Sequence, residues 1–369
     1  MRFAEIPGLQ EEKSLLINAV KNNHVAHAQL FFGAEGTGNL ALALAFISYL
    51  NCLNRQERDS CGECSNCTKI DKLVHPDINF VFPVVSTKKF SGKDAVSSNH
   101  LPSWREQILS NPYTSLNDWY EKLDAENKQG NISKEESRHI VKALSLKAFE
   151  AEYKVMLIWL PELMHVTAAN GILKILEEPP NKTIFLLVSN DYEKLLSTIL
   201  SRTQLFKIKP FLDDELTTIL SGLNMTHSDH GQAIRLASGS VSKAIQIIQN
   251  KEHESEANFI NWMRSCWKND FSHLVALADE FAGSSKVKQK SLLNQGLNVL
   301  QSGLKTVFGG NDDESELSFA DKFVKALNLN SMEQISQALN EALYHLERNA
   351  NPKILFLSLS MDIGSLLKS

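Results

Sequence analysis

From residue 1 to about residue 210, short apolar runs alternate with stretches of helical texture. Five of the runs, 29–32, 78–82, 155–159, 184–189 and 204–208, are rich in Val, Ile, Leu and Phe and apolar over most of their length. Apolar character on both faces, without strict alternation, predicts strands of a parallel sheet covered on each side. Between the runs, apolar positions recur at helical spacing over 11–22, 40–53 and 167–178. The last of these ends at Pro179 and Pro180, which cannot continue a helix. The expected class is α/β with a parallel five-stranded sheet.

Two regions depart from this pattern. Residues 86–131 turn to Ser, Lys and Asn with scattered Trp104, Tyr113, Trp119 and Tyr120, and are expected to form a solvated insertion, partly helical, anchored by those aromatics. After Phe211 no strand pattern survives. Asp213, Asp214 and Glu215 open a helix whose positive N-terminal end they complement, Gly239 closes a second, and Ser240 or Ser242 caps a third. Helical patterns then follow in series over 286–308, 332–348 and 352–368, separated by GlyGlyAsnAsp and AsnAlaAsnPro turns. A chain of 369 residues exceeds one ordinary core. Three domains are expected: an α/β domain over 1–210, a small helical module over 211–255 and an all-helical domain over 256–369.

Composition narrows the class of function. With 43% hydrophobic and 22% charged residues the chain reads as globular. No apolar run reaches the roughly 18–20 residues of a membrane span, and MRFAEIPGLQ lacks the basic flank and apolar block of a secretion signal. A cytoplasmic protein is expected. A formal net charge of −5 excludes a chain that coats nucleic acid through a global basic excess, so any DNA contact is local or shared with partners.

Four of the five cysteines, Cys52, Cys61, Cys64 and Cys67, follow a C, eight residues, CxxCxxC spacing. A structural zinc site takes four thiolates in a tetrahedron, and paired CxxC spacing lets a tight turn deliver successive sulfurs to one point, with Gly62 supplying the turn. No His or carboxylate stands at comparable spacing, so the expected site is closed and structural rather than catalytic. Buried free thiols and a CxxC redox pair are the competing readings. Cys266, alone in a helical pattern, reads as a core residue.

The stretch GAEGTGNLAL, from Gly33, has the frame of the phosphate-cradling loop GxxxxGK[ST], with Gly33 and Gly38 at the frame positions and Gly36 between them. Asn39 stands where the lysine belongs and Leu40 where the hydroxyl residue belongs. The apolar strand that should end in magnesium-binding acids reads KVMLIWLPELM, with Trp159 and Leu160 at the acid positions and only Glu162 nearby. The amide nest of the loop can attract an anion weakly. With the cation and both halves of the metal site gone, tight binding of Mg-ATP is not expected.

In order along the chain, AHAQLFFGAEGTGNLALA, the cysteine cluster, HPDINFVFP, AANGILKILEEPP (168–180) and STILSRTQLFKIKPF (197–211) resemble the bacterial AAA+ clamp-loader family of DNA polymerase III. The resemblance covers about 1–250 apart from the insertion; the last third matches only in length and helicity. It implies an AAA+ module, a helical lid and a helical collar, assembled in a five-membered arc that sets a ring-shaped sliding clamp on primed DNA. The degenerate loop is similar to that of a non-hydrolysing member, whose partners would be gamma/tau-like ATPase subunits and a delta-like subunit, with no membrane involved.

Ser201, Arg202 and Thr203 occupy the family's SRC motif, which implies that Arg202 is an arginine finger acting in trans on a neighbour's ATP. A helix cap over 195–200 or a pair with a surface acid would explain the same arginine. The lid arginine of active relatives is Ser242 here, and the adjacent Lys243 is turned about 100° away on a helix. Ser189 and Asn190 stand where relatives place a polar phosphate sensor, a position that ordinary strand-end residues also fill. Two other functions are open. One is an autonomous ATPase in which Lys182 or Lys194 replaces the loop lysine. The other is a zinc-dependent DNA adaptor, disfavoured because Arg55, Arg58, Lys69 and Lys72 are offset by Glu57, Asp59, Glu63 and Asp71.

Overall fold

A computed structural model describes residues 1–368 except 88, 126–127, 224, 226–229, 250, 285 and 310–326. The predicted GlyGlyAsnAsp turn therefore lies, apart from Gly309, outside the described residues. The chain divides into two compact units, Met1–Ile248 and Gln249–Ser369.

The first unit is built on five parallel strands, β1 Ala28–Phe32, β2 Ile78–Val81, β3 Lys154–Trp159, β4 Thr183–Ser189 and β5 Gln204–Lys207, in the order β2-β3-β4-β1-β5. All five fall where the apolar runs place them. Alternate residues of the central strands feed two cores. Phe31, Leu157, Trp159, Leu186 and Val188 face the wholly buried helix α2 (Asn39–Leu50), which follows α1 (Gln10–Lys21) and β1. Leu30, Met156, Ile158, Phe185 and Leu187 face the other way, together with Ile140 and Leu144 of α6 (Lys134–Ser145) and Ile172 and Leu176 of α7 (Val166–Glu177). The near-continuous apolar runs thus arise from a period of two with both faces covered. β5 is the exception. It is an edge strand, and Gln204, Leu205 and Lys207 are exposed, so the expectation of cover on both faces fails there.

The insertion is partly helical and anchored by its four aromatics, as expected, but more of it packs on the core than its composition suggests. It begins and ends at one point, where Val84 and Asn131 exchange backbone hydrogen bonds of 3.1 Å, and it carries α4 (Ser97–Ser110) and α5 (Leu116–Lys122), which follow α3 (Ser65–Asp71) in the chain. Trp104, Tyr113, Trp119 and Tyr120 are all buried in the core that contains α2. Trp104 stacks on Phe82 with ring centroids 4.3 Å apart, and Trp119 Nε1 donates to the Pro83 carbonyl at 2.8 Å. Each such ring contributes about 4–6 kcal/mol of apolar burial as an upper bound, which outweighs the polar texture around it.

After α8 (Ser197–Leu200) and β5, three helices complete the first unit: α9 Asp213–Gly222, α10 His230–Ala237 and α11 Val241–Ile248. Gly239 (φ +83°) makes the turn, and Ser240 rather than Ser242 caps α11, accepting from Lys243 N at 3.3 Å. The second unit is helical throughout its described residues: α12 Lys251–Lys268, α13 Phe271–Gly283, α14 Lys286–Gly309, α15 Leu329–Glu347 and α16 Pro352–Leu366. Its core stacks Trp262, Phe281 and Phe356, with Trp262 Nε1 donating to Ser360 Oγ at 2.8 Å and Cys266 fully buried, as a core cysteine should be. Among the described residues no helix is long and apolar enough to cross a membrane.

Candidate functional site

Parallel pairing aligns the carboxyl ends of β1, β3 and β4, the edge at which open α/β sheets present ligand sites. The loop Gly33–Gly38 leaves β1 there, beside Ser189 and Asn190 after β4. Asn39, at the first position of α2, is buried and points back into its own loop. Its Nδ2 donates to the carbonyls of Gly33 (3.0 Å), Ala34 (3.3 Å) and Ser189 (3.4 Å) and stands 3.5 Å from Asn190 Oδ1, while its Oδ1 accepts from Thr37 Oγ1 at 2.9 Å. The amide therefore closes the loop on itself and ties it to β4. The two residues at the phosphate-sensor position are the acceptors of that tie.

On the opposite wall the two acid positions carry apolar side chains. Trp159 ends β3 buried, with its ring 5.0 Å from that of Trp104, so the insertion fills the space at the first lost acid with aromatic packing. Leu160 follows at φ 55°, a left-handed conformation uncommon for a branched side chain, held by its N–H to Val188 O at 2.7 Å. Glu162 is engaged by backbone: Oε1 accepts from Asn190 N at 2.9 Å and Asp191 N at 3.3 Å, and burial, only partly offset by these donors, pushes its carboxyl above the usual range.

The helical module α9–α11 and the insertion both press on the loop. Val241 N donates to Gly36 O at 2.8 Å, Ser240 Oγ donates to Glu35 O at 2.8 Å, and Leu116 N at the start of α5 donates to Glu35 Oε1 at 3.1 Å. Gly36 (φ +73°) is required here: a Cβ would stand 2.0 Å from Ser242 Oγ and 2.4 Å from Ser240 Oγ. Ser242, at the lid-arginine position, thus occupies space against the loop. Lys182 does not reach it. That residue precedes β4, at the opposite end of the sheet, with Nζ 3.4 Å from Glu152, and Lys194 pairs with Asp191 at 3.0 Å.

Arg202 lies just beyond α8, with its side chain partly exposed. Nε and Nη2 both engage Glu177 Oε1 at the end of α7, and Nη1 donates to Thr198 O at 2.8 Å and Ser201 Oγ at 3.2 Å. The structure therefore contains both the cap and the acid pair that the sequence left open. Glu177 carried no sequence signal of its own beyond its place in AANGILKILEEPP.

The four clustered cysteines come together. Their sulfurs all lie within 4.8 Å of one another, with Cys52 and Cys61 3.5 Å apart and Cys61 and Cys67 3.9 Å apart. A tetrahedron of 2.3 Å zinc–sulfur bonds has edges of about 3.8 Å, so the donor set fits zinc. Gly62 takes φ +75° in the turn, and the N–H groups of Cys61, Cys64 and Cys67 each point at the preceding cysteine sulfur at 3.3–3.5 Å. Burial pushes the Cys52 and Cys67 thiols up. At Cys64 burial is outweighed by N–H donors from Cys67 and Leu53 and by the neighbouring thiols, which bring it down to about 6. The cluster also anchors its surroundings. Arg55 pairs with Glu152 (2.9 Å) and Lys69 with Glu150 (2.6 Å), both before β3, and Asp59 accepts from Phe3 N and Ala4 N at 3.0 and 2.8 Å. Two of the four basic residues near the cluster are thus turned to internal carboxylates.

A family model described as DNA polymerase III, delta subunit, matches residues 8–212. Among curated proteins, the chain is 25% identical over 248 residues to DNA polymerase III subunit delta' of Bacillus subtilis, covering 67% of this chain and 61% of the relative. It is 26% identical over 244 residues to the delta' subunit of Escherichia coli, covering 66% and 60%. It is also 25% identical over 251 residues to the tau/gamma subunit of Haemophilus influenzae, covering 66% and 30%. The matched stretch thus spans about three-fifths of the delta' relatives. A DNA polymerase III gamma subunit-related protein of Thermotoga maritima aligns over 96% of this chain and 99% of its own, with 13% identity and a TM-score of 0.39.

Proposed function

Since this chain belongs to the family of DNA polymerase III delta subunits, with an AAA+ α/β module and a helical C-terminal region, we propose that it is a non-hydrolysing, delta'-like subunit of a replicative clamp loader. In this reading it packs against gamma/tau-type ATPase subunits and a delta-type subunit, and Arg202 reaches the neighbour's ATP while the sliding clamp is set on primed DNA. A guanidinium at the γ-phosphate stabilises charge that develops during transfer and needs no nucleotide in its own subunit. Zinc held by Cys52, Cys61, Cys64 and Cys67 staples the module and plays no part in catalysis.

The observation that carries the reading is the amide of Asn39. A working loop leaves its amide groups open around a phosphate and brings a lysine to it. Here an uncharged side chain is bonded within the loop, and Trp159 and Leu160 offer no oxygen to a magnesium ion. The isolated chain titrated with millimolar Mg-ATP should give no binding heat in calorimetry; a dissociation constant in the micromolar range would overturn the reading. In the assembled loader, Arg202→Ala should reduce DNA-stimulated ATP turnover roughly tenfold or more, in line with the loss of a trans finger. Unchanged turnover in a fully assembled complex would remove the finger.

A further inference from the structure

A guanidinium carries five N–H donors. Nε of Arg202 donates to Glu177 Oε1, Nη1 donates to Thr198 O and Ser201 Oγ, and Nη2 stands in ion-pair contact with the same Glu177 oxygen, so all three nitrogens are engaged inside this chain. Bidentate recognition of a phosphate takes two of those nitrogens. Seating a γ-phosphate on this fork therefore requires an internal contact to break. Thr198 and Ser201 belong to the same turn as Arg202 and move with it. Glu177 belongs to a different helix, so its contact opens by side-chain rotation alone. Glu177 is also the one acceptor of the set that bears a charge, and that charge repels an incoming phosphate.

We propose that Glu177 parks the arginine finger, so that ATP in the neighbouring subunit must displace a carboxylate of this chain before Arg202 engages it. The proposal rests on the reading of Arg202 as a trans finger. Parking has a functional consequence: it biases the interface toward the open state when the neighbour is empty, and couples closure to the presence of a triphosphate. The side chains of Arg202 and Glu177 are 30% and 46% exposed, so the pair is screened and exchangeable. An exposed pair of this kind shifts an equilibrium by up to about fivefold, enough to bias engagement without blocking it.

The test uses the full chain assembled with its cognate ATPase and delta-type subunits on primed DNA, with ATP turnover measured against ATP concentration for wild type, Glu177→Gln, Arg202→Ala and the double variant. Glutamine keeps the shape and one acceptor but removes the charge. The expected result is a half-saturating ATP concentration about two- to fivefold lower in Glu177→Gln, no fall in turnover at saturation, and no difference between Arg202→Ala and the double variant. If Arg202→Ala lowers turnover but Glu177→Gln leaves the half-saturating concentration unchanged or raises it, parking is overturned and the finger stands. If Arg202→Ala changes nothing, both fall together.

Discussion

Replacing Asn39 isolates the interaction that closes the loop. Asn39→Ala removes a buried amide that makes two well-formed bonds, to Gly33 O at 3.0 Å and from Thr37 Oγ1 at 2.9 Å, with longer contacts to Ala34 O and Ser189 O. The single hydroxyl proton of Thr37 is shared between Asn39 Oδ1 and Ala34 O at 2.8 Å, so Thr37 keeps a partner and the principal orphan is the Gly33 carbonyl. At about 1 kcal/mol for the bond to Gly33, a fraction of that for the shared proton and a further 1 kcal/mol or so for the orphaned acceptor, the loss is about 2–3 kcal/mol. For a unit of this size that corresponds to a fall in melting temperature of about 4–12 °C. Asn39→Asp sharpens the test. It is isosteric, keeps the acceptor toward Thr37, and turns a carboxylate oxygen toward carbonyls that had received a donor, so at pH 7 it should be less stable than Asn39→Ala. Calorimetric or urea unfolding of the full chain, followed by a probe in the first unit, measures both. An aspartate variant as stable as wild type would refute the assigned bonding, and with it the account of why this loop is shut.

Two further measurements bear on the scaffold. Purified chain should contain one zinc per molecule by elemental analysis and Cys64→Ser should lose it, while chelation should speed hydrogen exchange at Phe3 and Ala4, whose N–H groups are held by Asp59 of the cysteine loop; metal-free protein from metal-replete cells would refute the site. Asp77 accepts from Phe149, Glu150 and Ala151 N at 2.7–2.8 Å, and although burial works to raise its carboxyl, these donors hold it below the usual range. A depressed carboxyl stabilises the fold above its unfolded value near 3.9 and loses that effect as pH falls through the folded value. Asp77→Asn should therefore cost about 2–3 kcal/mol at pH 7, with the gap narrowing below about pH 4; a gap independent of pH would refute the assignment.

The strands and the cysteine set were legible because each is a local statement. An apolar run of four to seven residues is favoured as a strand of a covered parallel sheet, and CxxCxxC spacing admits few geometries that bring its sulfurs together. The losses at Asn39, Leu40, Trp159 and Leu160 were equally plain, since a missing charge or oxygen is a property of the residue alone. In the insertion the four aromatics marked the anchors, while the polar majority hid how much of the segment packs on the core. Composition averages over a window, whereas folding is decided by whether the few large rings find a place to pack, and here Phe82 and Trp159 supply one. β5 failed in the opposite sense, since a strand of similar texture can lie at the sheet edge, which only the pairing order reveals.

The linear order of residues thus determined what these side chains can offer: no local rearrangement gives a cation to Asn39 or a metal ligand to Trp159. It did not determine what those side chains do instead. The amide turned into its own loop, the hydroxyl of Ser240 on the Glu35 carbonyl, and the carboxylate of Glu177 on Arg202 join residues as much as 205 positions apart. Such contacts depend on the sheet aligning the ends of β1, β3 and β4 and on helices packing over them, a matter of distance and direction in space that spacing along the chain does not encode.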